Sequence, residues 1–197
     1  MSAQPASEPD TEPDGPSPYD GVPGLVETVT AHGETTLVVD PARVVEACTQ
    51  LRDEAGFNVL IDLSPVDYLG WGGIGVAGYI GTREGRDLND VGSQGFQRVP
   101  DPKPKRFSVS YHLLRVGDDP GRVRVQVWID EGEQLDSLVP VYPAADWYER
   151  EAFDMYGIGF RNHPNLVRIL MPEDWEGHPL RKDYPLGGEP VRFSGEE

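Results

Sequence analysis

Residues 107–114 read FSVSYHLL and residues 122–129 read RVRVQVWI, and these two stretches carry the clearest structural pattern in the chain. In both, apolar residues alternate with more polar ones, a period of two that is typical of β-strands with one buried face. The intervening residues 117–121 read GDDPG, a composition that favours a hairpin loop. We therefore expect two antiparallel strands whose polar side faces water or a partner.

Upstream, residues 35–39 read TTLVV and predict a short strand. Asp40 is a good N-cap and Pro41 suits the first helical position, so a helix is predicted to follow. Its apolar residues recur on one face at helical spacing, namely Val44, Val45, Ala47, Cys48 and Leu51. Gly56 is expected to stop this helix. Alternation then predicts another strand through Phe57, Val59, Ile61 and Leu63.

A second helix is predicted from about residue 144 to residue 156, ended by Gly157, and it should cover one face of the sheet. This pattern indicates an α+β fold with a small, mainly antiparallel sheet packed with helices over residues 25–157. Residues 1–24 form an acidic, proline-rich tail that we expect to be disordered. Residues 70–104 contain nine glycines and predict an irregular insertion, and residues 158–197 predict an extended C-terminal arm.

The composition excludes several classes of function. The chain has 34 acidic and 17 basic residues, a net charge of −17, whereas a nucleic-acid-binding protein needs a basic surface. Apolar runs do not exceed three residues, so no transmembrane helix is expected. Cys48 is the single cysteine, which excludes an internal disulfide and a self-contained iron–sulfur cluster. Cysteine usage and the lack of a secretory or mitochondrial leader pattern favour a cytosolic, bacterial protein.

Two patterns resemble ligand sites but lack the context that such sites need. Residues 73–78, GIGVAG, have the spacing of a dinucleotide-binding loop, but Gly81 and Gly85 interrupt the helix that should follow. A free-standing enzyme that binds a nucleotide through Gly73 to Gly78 stays as an alternative. His163 and His178 each precede a proline without a second ligand at metal-site spacing. We expect these imidazoles to hydrogen-bond neighbours from fixed, extended backbone.

The second predicted helix is rich in charge. Paired carboxylates can perform acid–base chemistry, but Asp146 and Asp154 each lie four residues from Arg150, which favours ion pairs within the helix. The sequence offers no serine or cysteine nucleophile with a nearby base. We therefore expect a scaffold and docking surface on this helix rather than a catalytic site.

The same helix opens a longer and more specific pattern. Residues 149–158 read EREAFDMYGI, residues 160–166 read FRNHPNL, and residues 168–185 read RILMPEDWEGHPLRKDYP. This pattern resembles the thirty-kilodalton subunit of respiratory complex I, which is the C subunit of the bacterial NADH–quinone oxidoreductase. The resemblance is close over residues 146–185 and looser at residues 66–68 and 106–114. Val167 departs from it, because family members usually carry a basic residue there. A related subunit of membrane-bound hydrogenase-type complexes is the alternative.

The resemblance implies a cofactor-free subunit of the peripheral arm, without an active site of its own. The whole enzyme passes electrons from NADH through FMN and iron–sulfur clusters to quinone, coupled to proton pumping, and other subunits bind these groups. The implied partners are the quinone-site subunit and the terminal-cluster subunit of the peripheral arm. The implied location is peripheral, on the cytoplasmic side of the bacterial cell membrane, with only indirect membrane contact.

We interpret the C-terminal arm as a clamp on these partners. Arg181, Lys182 and Asp183 can form charge-assisted hydrogen bonds across an interface. Flanking prolines limit the conformations lost on docking, and Trp175 and Tyr184 suit buried anchors. The candidate motif and interface residues carried over from the family are Glu149, Arg150, Glu151, Asp154, Gly157, His163, Pro164, Arg168, His178, Pro179, Leu180, Arg181, Lys182, Asp183, Tyr184 and Pro185.

Overall fold

A five-stranded mixed sheet forms the centre of the molecule. In the computed structural model, which describes residues 19–71 and 102–185, the strand order is β1–β2–β5–β4–β3. The strands are Leu25–Ala31 (β1), Glu34–Val39 (β2), Val59–Asp67 (β3), Phe107–Arg115 (β4) and Gly121–Ile129 (β5). Neighbouring strands run antiparallel except β2 and β5, which are parallel. The predicted hairpin is confirmed, because β4 and β5 pair along their whole length.

Two helices share one hydrophobic core with this sheet. A 3₁₀ turn, Pro41–Arg43, leads into α1 (Val44–Asp53), and α2 spans Ala145–Tyr156. Two short strands, β6 (Gln134–Asp136) and β7 (Gly159–Arg161), precede and follow α2 and pair in parallel as a separate sheet. The core joins alternate residues of β4 and β5 to the apolar faces of both helices. The α+β fold class is therefore confirmed.

The start of α1 follows the prediction closely. Asp40 Oδ1 accepts a hydrogen bond from the Ala42 N–H at 2.9 Å, so the cap lies on the 3₁₀ turn that precedes the helix. The predicted apolar face is buried, and Cys48 has no exposed surface. Burial raises the pKa of the Cys48 thiol to about 12, which makes it a core residue and not a reactive group. Gly56 adopts a φ of 75° just beyond the helix.

Strand β3 differs from the predicted alternation. Its pairing with β4 shifts register between Leu60 and Asp62, where Ile61 is the extra residue. Because a bulge adds one residue to a strand, the inward face changes from the even position Leu60 to the odd positions Leu63 and Asp67. Leu60 and Leu63 are buried, whereas Ile61 is 40% exposed. The prediction that Ile61 shares the buried face of Leu63 is therefore wrong.

Several predictions concern residues outside the described part of the chain. These are the tail up to residue 18, most of the predicted insertion (residues 72–101, with the Gly73–Gly78 pattern) and residues 186–197. Val22 lies within the predicted tail but packs into the core, so the folded part begins before Leu25. Among the residues described, neither helix is long and apolar enough to span a membrane.

The C-terminal segment, which we define as residues 158–185, lies on the domain. It begins with β7, and its later residues bond to α2, β3 and the β5–β6 turn. The segment predicted as an extended arm that clamps partners is thus, up to residue 185, bonded to its own domain. The reason is a set of buried carboxylates on the domain, which provide acceptors for the backbone of a segment that has little regular structure of its own.

Candidate functional site

Three buried carboxylates organise the region that carries the family pattern. Asp67 is 4% exposed, and Glu149 and Asp154 have no exposed surface. Asp67 ends β3, while Glu149 and Asp154 lie on α2. A buried carboxylate needs hydrogen-bond donors or a cation to offset its lost hydration. Each of these three finds its donors in a different part of the chain, so each connects two or more elements.

Asp154 holds the chain that follows β7. Its Oδ2 accepts hydrogen bonds from three successive backbone N–H groups, those of Ile169 (3.0 Å), Leu170 (2.8 Å) and Met171 (2.9 Å). Its Oδ1 accepts one from Arg168 Nη1 at 2.9 Å. Burial disfavours the charged carboxylate, but these donors outweigh it and lower its pKa. The side chain is therefore an anion that fixes a turn in residues 168–171.

The end of α2 makes a second contact with the C-terminal segment. Gly157 has a φ of 73° as the C-cap, and a Cβ there would lie 2.6 Å from His178 Nε2. The same imidazole bonds through Nδ1 to the Asp154 carbonyl oxygen at 2.9 Å. Next to it, the Leu180 N–H donates to the Met155 carbonyl at 3.1 Å. Glycine is thus required at position 157 both for the turn and for the close approach of His178.

Glu149 joins α2 to the chain after β6. Its carboxylate accepts hydrogen bonds from Ser137 Oγ and from the Leu138 N–H, both at 2.6 Å. His163, whose side chain is fully buried, places Nε2 at 3.9 Å from Glu149 Oε2 and 3.3 Å from Asp146 Oδ1. Its Nδ1 accepts the Asn165 N–H at 3.0 Å, so the neutral ring carries its proton on Nε2.

Burial dominates the ionisation of Glu149. It raises the pKa to about 7, although the bonds from Ser137 and Leu138 favour the charged form, and the nearby Asp146 charge raises the pKa further. This behaviour contrasts with that of Asp154, which lies further along the same helix and has a lowered pKa. The difference arises because Asp154 has a guanidinium and three amide donors, whereas Glu149 has one hydroxyl and one amide donor.

Asp67 and Arg106 anchor the end of the C-terminal segment. Asp67 accepts two bonds from the Arg106 guanidinium, at 3.1 and 2.9 Å, and one from the Lys182 N–H at 2.9 Å. Burial raises the pKa of Asp67, but Arg106 and two backbone N–H groups reverse this and lower it overall. Arg106 also pairs with Asp183 at 2.9 Å and with Glu131 at 2.6 Å. The segment is thus tied to β3, β4 and the β5–β6 turn.

Arg181 completes this network. Its guanidinium pairs with Glu131, and its Nε lies 3.7 Å from Asp183 Oδ1. The guanidinium groups of Arg181 and Arg106 both lie over the Phe107 ring, 5.6 and 4.8 Å from its centroid. Only 18% of the Arg181 side chain is exposed. Arg181 therefore forms contacts within its own chain, at the position where sequence analysis predicted a contact with a partner.

The predicted site residues differ in what their side chains contact. Those that form the contacts just described are Glu149, Asp154, Gly157, His163, Arg168, His178, Arg181 and Asp183. Those whose side chains are exposed are Glu151, Pro164, Leu180, Lys182 and Pro185. Pro179 and Tyr184 are half-buried, and the Tyr184 ring packs against Gly177. Both histidines hydrogen-bond neighbours, as predicted.

Arg150 does not form the predicted ion pairs within α2. Its guanidinium lies 4.9 Å from the Trp147 ring centroid, and its Nε donates to the Val167 carbonyl at 3.2 Å. Asp154 pairs with Arg168 instead, and Asp146 lies beside His163. Helical spacing alone suggested the ion pairs, but the buried Asp154 receives more hydrogen bonds from residues 168–171 than one arginine of its own helix could donate.

Sequence reasoning missed Asp67, Arg106, Ser137 and Glu131 as parts of this site. Two of them carried a signal, because Asp67 and Arg106 stand at the facing ends of β3 and β4 in stretches that resemble the family loosely. Within residues 19–71 and 102–185, no group of three or more His, Cys, Asp or Glu side chains has the geometry of a metal site.

Comparison with known proteins identifies the family of this chain. Residues 37–190 match the family model described as respiratory-chain NADH dehydrogenase, 30 Kd subunit. The chain belongs to this family. A relative from Citrifermentans bemidjiense, named as the C subunit of NADH-quinone oxidoreductase, is 40% identical over 165 residues, which are 83% of this chain and 82% of that one. The family resemblance that the sequence pattern indicated is confirmed.

Solved structures agree with the family assignment. A trypsin-resistant fragment of Nqo5 matches with a TM-score of 0.51 and 27% identity, covering 68% of this chain and 83% of the other. A chain of an archaeal respiratory membrane complex, the membrane-bound sulfane sulfur reductase, matches with a TM-score of 0.59 and 18% identity, covering 85% and 81%. At 18% identity, the second match shows a shared fold only. It indicates that this chain shares its fold with a chain of a different respiratory complex.

Proposed function

We propose that this chain is a cofactor-free, non-catalytic subunit of the peripheral arm of a proton-pumping NADH–quinone oxidoreductase. In that role it supports electron transfer from NADH through FMN and iron–sulfur clusters to quinone by holding other subunits in place. The observation that carries the proposal is the way the C-terminal segment is anchored. Its backbone N–H groups donate hydrogen bonds to the buried carboxylates of Asp67 and Asp154. Backbone anchoring leaves part of the side chains of the segment, among them Leu170, Trp175 and Leu180, exposed for partners.

The surface of the segment supports a role in assembly. Four large apolar side chains on it are exposed, by 47% for Val167, 55% for Leu170, 41% for Trp175 and 51% for Leu180. Trp147, next to Val167 through Arg150, is 61% exposed. A rigid segment that presents apolar side chains loses little conformational entropy on docking. Large exposed apolar side chains on an anchored segment are suited to contacts with another protein.

The absence of a resident cofactor remains part of the proposal. Cys48 is the only cysteine of the chain and its thiol is buried with a raised pKa, so it is unsuited to ligate a cluster. The buried carboxylates already bond to protein donors and offer no open coordination position. We assign FMN, the clusters and quinone to other subunits.

The proposed partners are the quinone-site subunit and the terminal-cluster subunit of the oxidoreductase. The proposed location is the cytoplasmic side of the bacterial cell membrane, reached through these subunits and not by insertion into the bilayer. The family assignment and the exposed apolar side chains of the C-terminal segment support this placement.

Affinity purification tests the proposal. The full-length chain, tagged at its N-terminus, replaces the native copy in cells, and membranes are extracted in a mild detergent. We expect NADH–quinone reductase activity, flavin and iron to co-purify with the tag, with the quinone-site and terminal-cluster subunits identified by mass spectrometry. Recovery of the chain alone from the soluble fraction would contradict the proposal, as would stoichiometric flavin or iron in the separated, refolded chain.

A further inference from the structure

The most exposed part of the C-terminal segment is a closed loop, which we call the acidic loop and define as residues 168–177. The Arg168 guanidinium joins the two ends of the loop and fixes the loop to α2. One guanidinium nitrogen bonds to Asp154 Oδ1 at 2.9 Å, and the other donates to the Gly177 carbonyl at 3.3 Å. Inside the loop, the Trp175 N–H donates to the Pro172 carbonyl at 3.1 Å. The loop is therefore preorganised although it contains no helix or strand.

The acidic loop combines two kinds of exposed side chain. Leu170 and Trp175 are 55% and 41% exposed. Its carboxylates are also exposed, and they have no ion-pair partner within the described residues; they are Glu173, Asp174 and Glu176. Arg168 is the single basic residue of the loop, and Asp154 neutralises it. The outward surface thus consists of two apolar side chains beside three uncompensated negative charges.

The basic residues nearby do not offset this charge. Arg181, which sequence analysis assigned to a partner contact, is directed to Glu131 and Asp183 of its own chain. Lys182 is the one exposed cation in residues 178–185 without a carboxylate partner in the described chain. The exposed, unpaired charge of the C-terminal segment is therefore mainly negative, although Arg181 and Lys182 were the basic residues expected to contact a partner.

We propose that the acidic loop docks into an apolar pocket rimmed by lysine or arginine side chains on a neighbouring protein subunit. Trp175 is the expected anchor, because tryptophan is enriched among the interface residues that contribute most to binding. The three carboxylates set orientation and association rate by electrostatic complementarity. This inference rests on the proposed function, since it names the surface through which the subunit joins its assembly.

Charge also argues for a basic protein partner over two other occupants. A second copy of this chain would bring the same three carboxylates against the loop in a symmetric dimer, so like charges would face each other. An anionic membrane surface would repel the loop, because such surfaces attract basic segments. A basic protein surface is the occupant that meets both the exposed tryptophan and the carboxylates.

The test uses the tagged full-length chain in place of the native copy in cells. The loop variant carries Glu173→Lys, Asp174→Lys and Glu176→Lys. The matched control carries the same change at three exposed acids distant in sequence, Glu27→Lys, Glu54→Lys and Asp118→Lys. Because these six side chains make no bonds within the described residues, both variants should melt like the wild type. A third variant, Trp175→Ala, keeps the charges and removes the anchor.

We expect the loop variant to lower the recovery of NADH–quinone reductase activity with the tag by about tenfold or more, and the control variant to leave it unchanged. Trp175→Ala should also lower recovery. Rising KCl should lower recovery of the wild type, because salt screens the exposed charges. Equal recovery of the loop variant and the wild type would overturn the proposal, as would equal losses in the loop and control variants.

Other outcomes separate this proposal from the proposed function. If the wild type is recovered with a different assembly and the loop variant loses that assembly, the proposed function fails and the docking proposal stands. If the wild type is recovered with the oxidoreductase and the loop variant is too, the docking proposal alone fails. Loop-dependent dimers in size exclusion, or loop-dependent binding to vesicles of phosphatidylserine and phosphatidylcholine, would also overturn it.

Discussion

Replacement of Asp154 by asparagine tests the main anchor of the C-terminal segment. The side chain keeps its shape but loses its charge, and it exchanges one acceptor oxygen for an NH₂ donor. If the remaining oxygen still faces the three backbone N–H groups, the new NH₂ group faces the Arg168 guanidinium, donor against donor. If it faces Arg168, the three backbone N–H groups of residues 169–171 lose their acceptor.

The cost follows from these contacts. A hydrogen bond to a charged group contributes about 1.5–3 kcal/mol, and charge-assisted bonds are roughly twice as strong as neutral ones. Breaking a fully buried pair costs about 3–5 kcal/mol. Arg168 is 18% exposed and can be hydrated in part, which lowers that figure. We expect Asp154→Asn to lower the free energy of unfolding by about 3 kcal/mol, and the melting temperature by roughly 6–12 °C.

Urea and thermal unfolding of the purified full-length chain at neutral pH measure this loss. The matched control is Glu151→Gln, the same carboxylate-to-amide change at an exposed position of the same helix, which should shift stability by less than about 0.5 kcal/mol. Because the pKa of Asp154 is lowered in the folded state, its contribution is present above the ordinary value of 3.8 and is lost as the pH falls through the folded value. A loss under about 1 kcal/mol, or one equal to that of the control, would show that Asp154 does not anchor the C-terminal segment.

Three further predictions concern the other contacts of the site. In Glu149→Gln the amide oxygen still accepts the Leu138 N–H, the NH₂ group donates to Ser137 Oγ in place of accepting from it, and the side chain no longer titrates. Because burial raises the pKa of Glu149 from 4.5 to about 7, the wild type should lose stability relative to the variant as the pH rises through that window, by at most ~1.4 kcal/mol per pH unit. Parallel pH profiles in urea unfolding would contradict this. Gly157→Ala should lower the melting temperature more than Gly132→Ala, because both have positive φ but only the first places a Cβ 2.6 Å from a histidine ring; equal losses would mean that the ring moves freely. Arg181→Glu should destabilise the isolated subunit by about 1–3 kcal/mol because its guanidinium is paired within the chain, whereas Lys182→Glu should cost under about 0.5 kcal/mol. Identical melting of these two variants would show that the Arg181 pairs contribute nothing measurable.

The local elements of this protein could be predicted from the sequence because short-range physics specifies them. Alternation in residues 107–114 and 122–129 was sufficient for β4 and β5, and Asp40 with Pro41 marked the start of the first helical region. Gly157 was expected to end α2, since a positive φ is cheap for glycine. The burial of Cys48 followed from helical spacing alone.

Sheet order and the bulge could not be predicted in this way. The parallel pairing of β2 with β5 joins residues that are distant in sequence, such as Leu37 and Val125, and no local pattern encodes that choice. The bulge at Ile61 depends on how β3 pairs with β4. The short strands β6 and β7 contain three residues each, too few for a periodic signal, and they form because each finds the other across α2.

At the site, the unusual residues can be recognised from the sequence, but their contacts follow only from the packing of the folded chain. The family pattern singled out Asp154, Arg168 and Arg181 among many charged residues. Sequence analysis predicted ion pairs within α2 and a partner contact through Arg181, but the part of the chain that the structure describes has neither. A buried carboxylate is stable only where several donors converge, so Asp154 holds the 168–171 turn and Arg181 is directed inward to Glu131. That convergence depends on the packing of distant segments, which is why the sign of the exposed charge on the C-terminal segment emerged only from the folded structure.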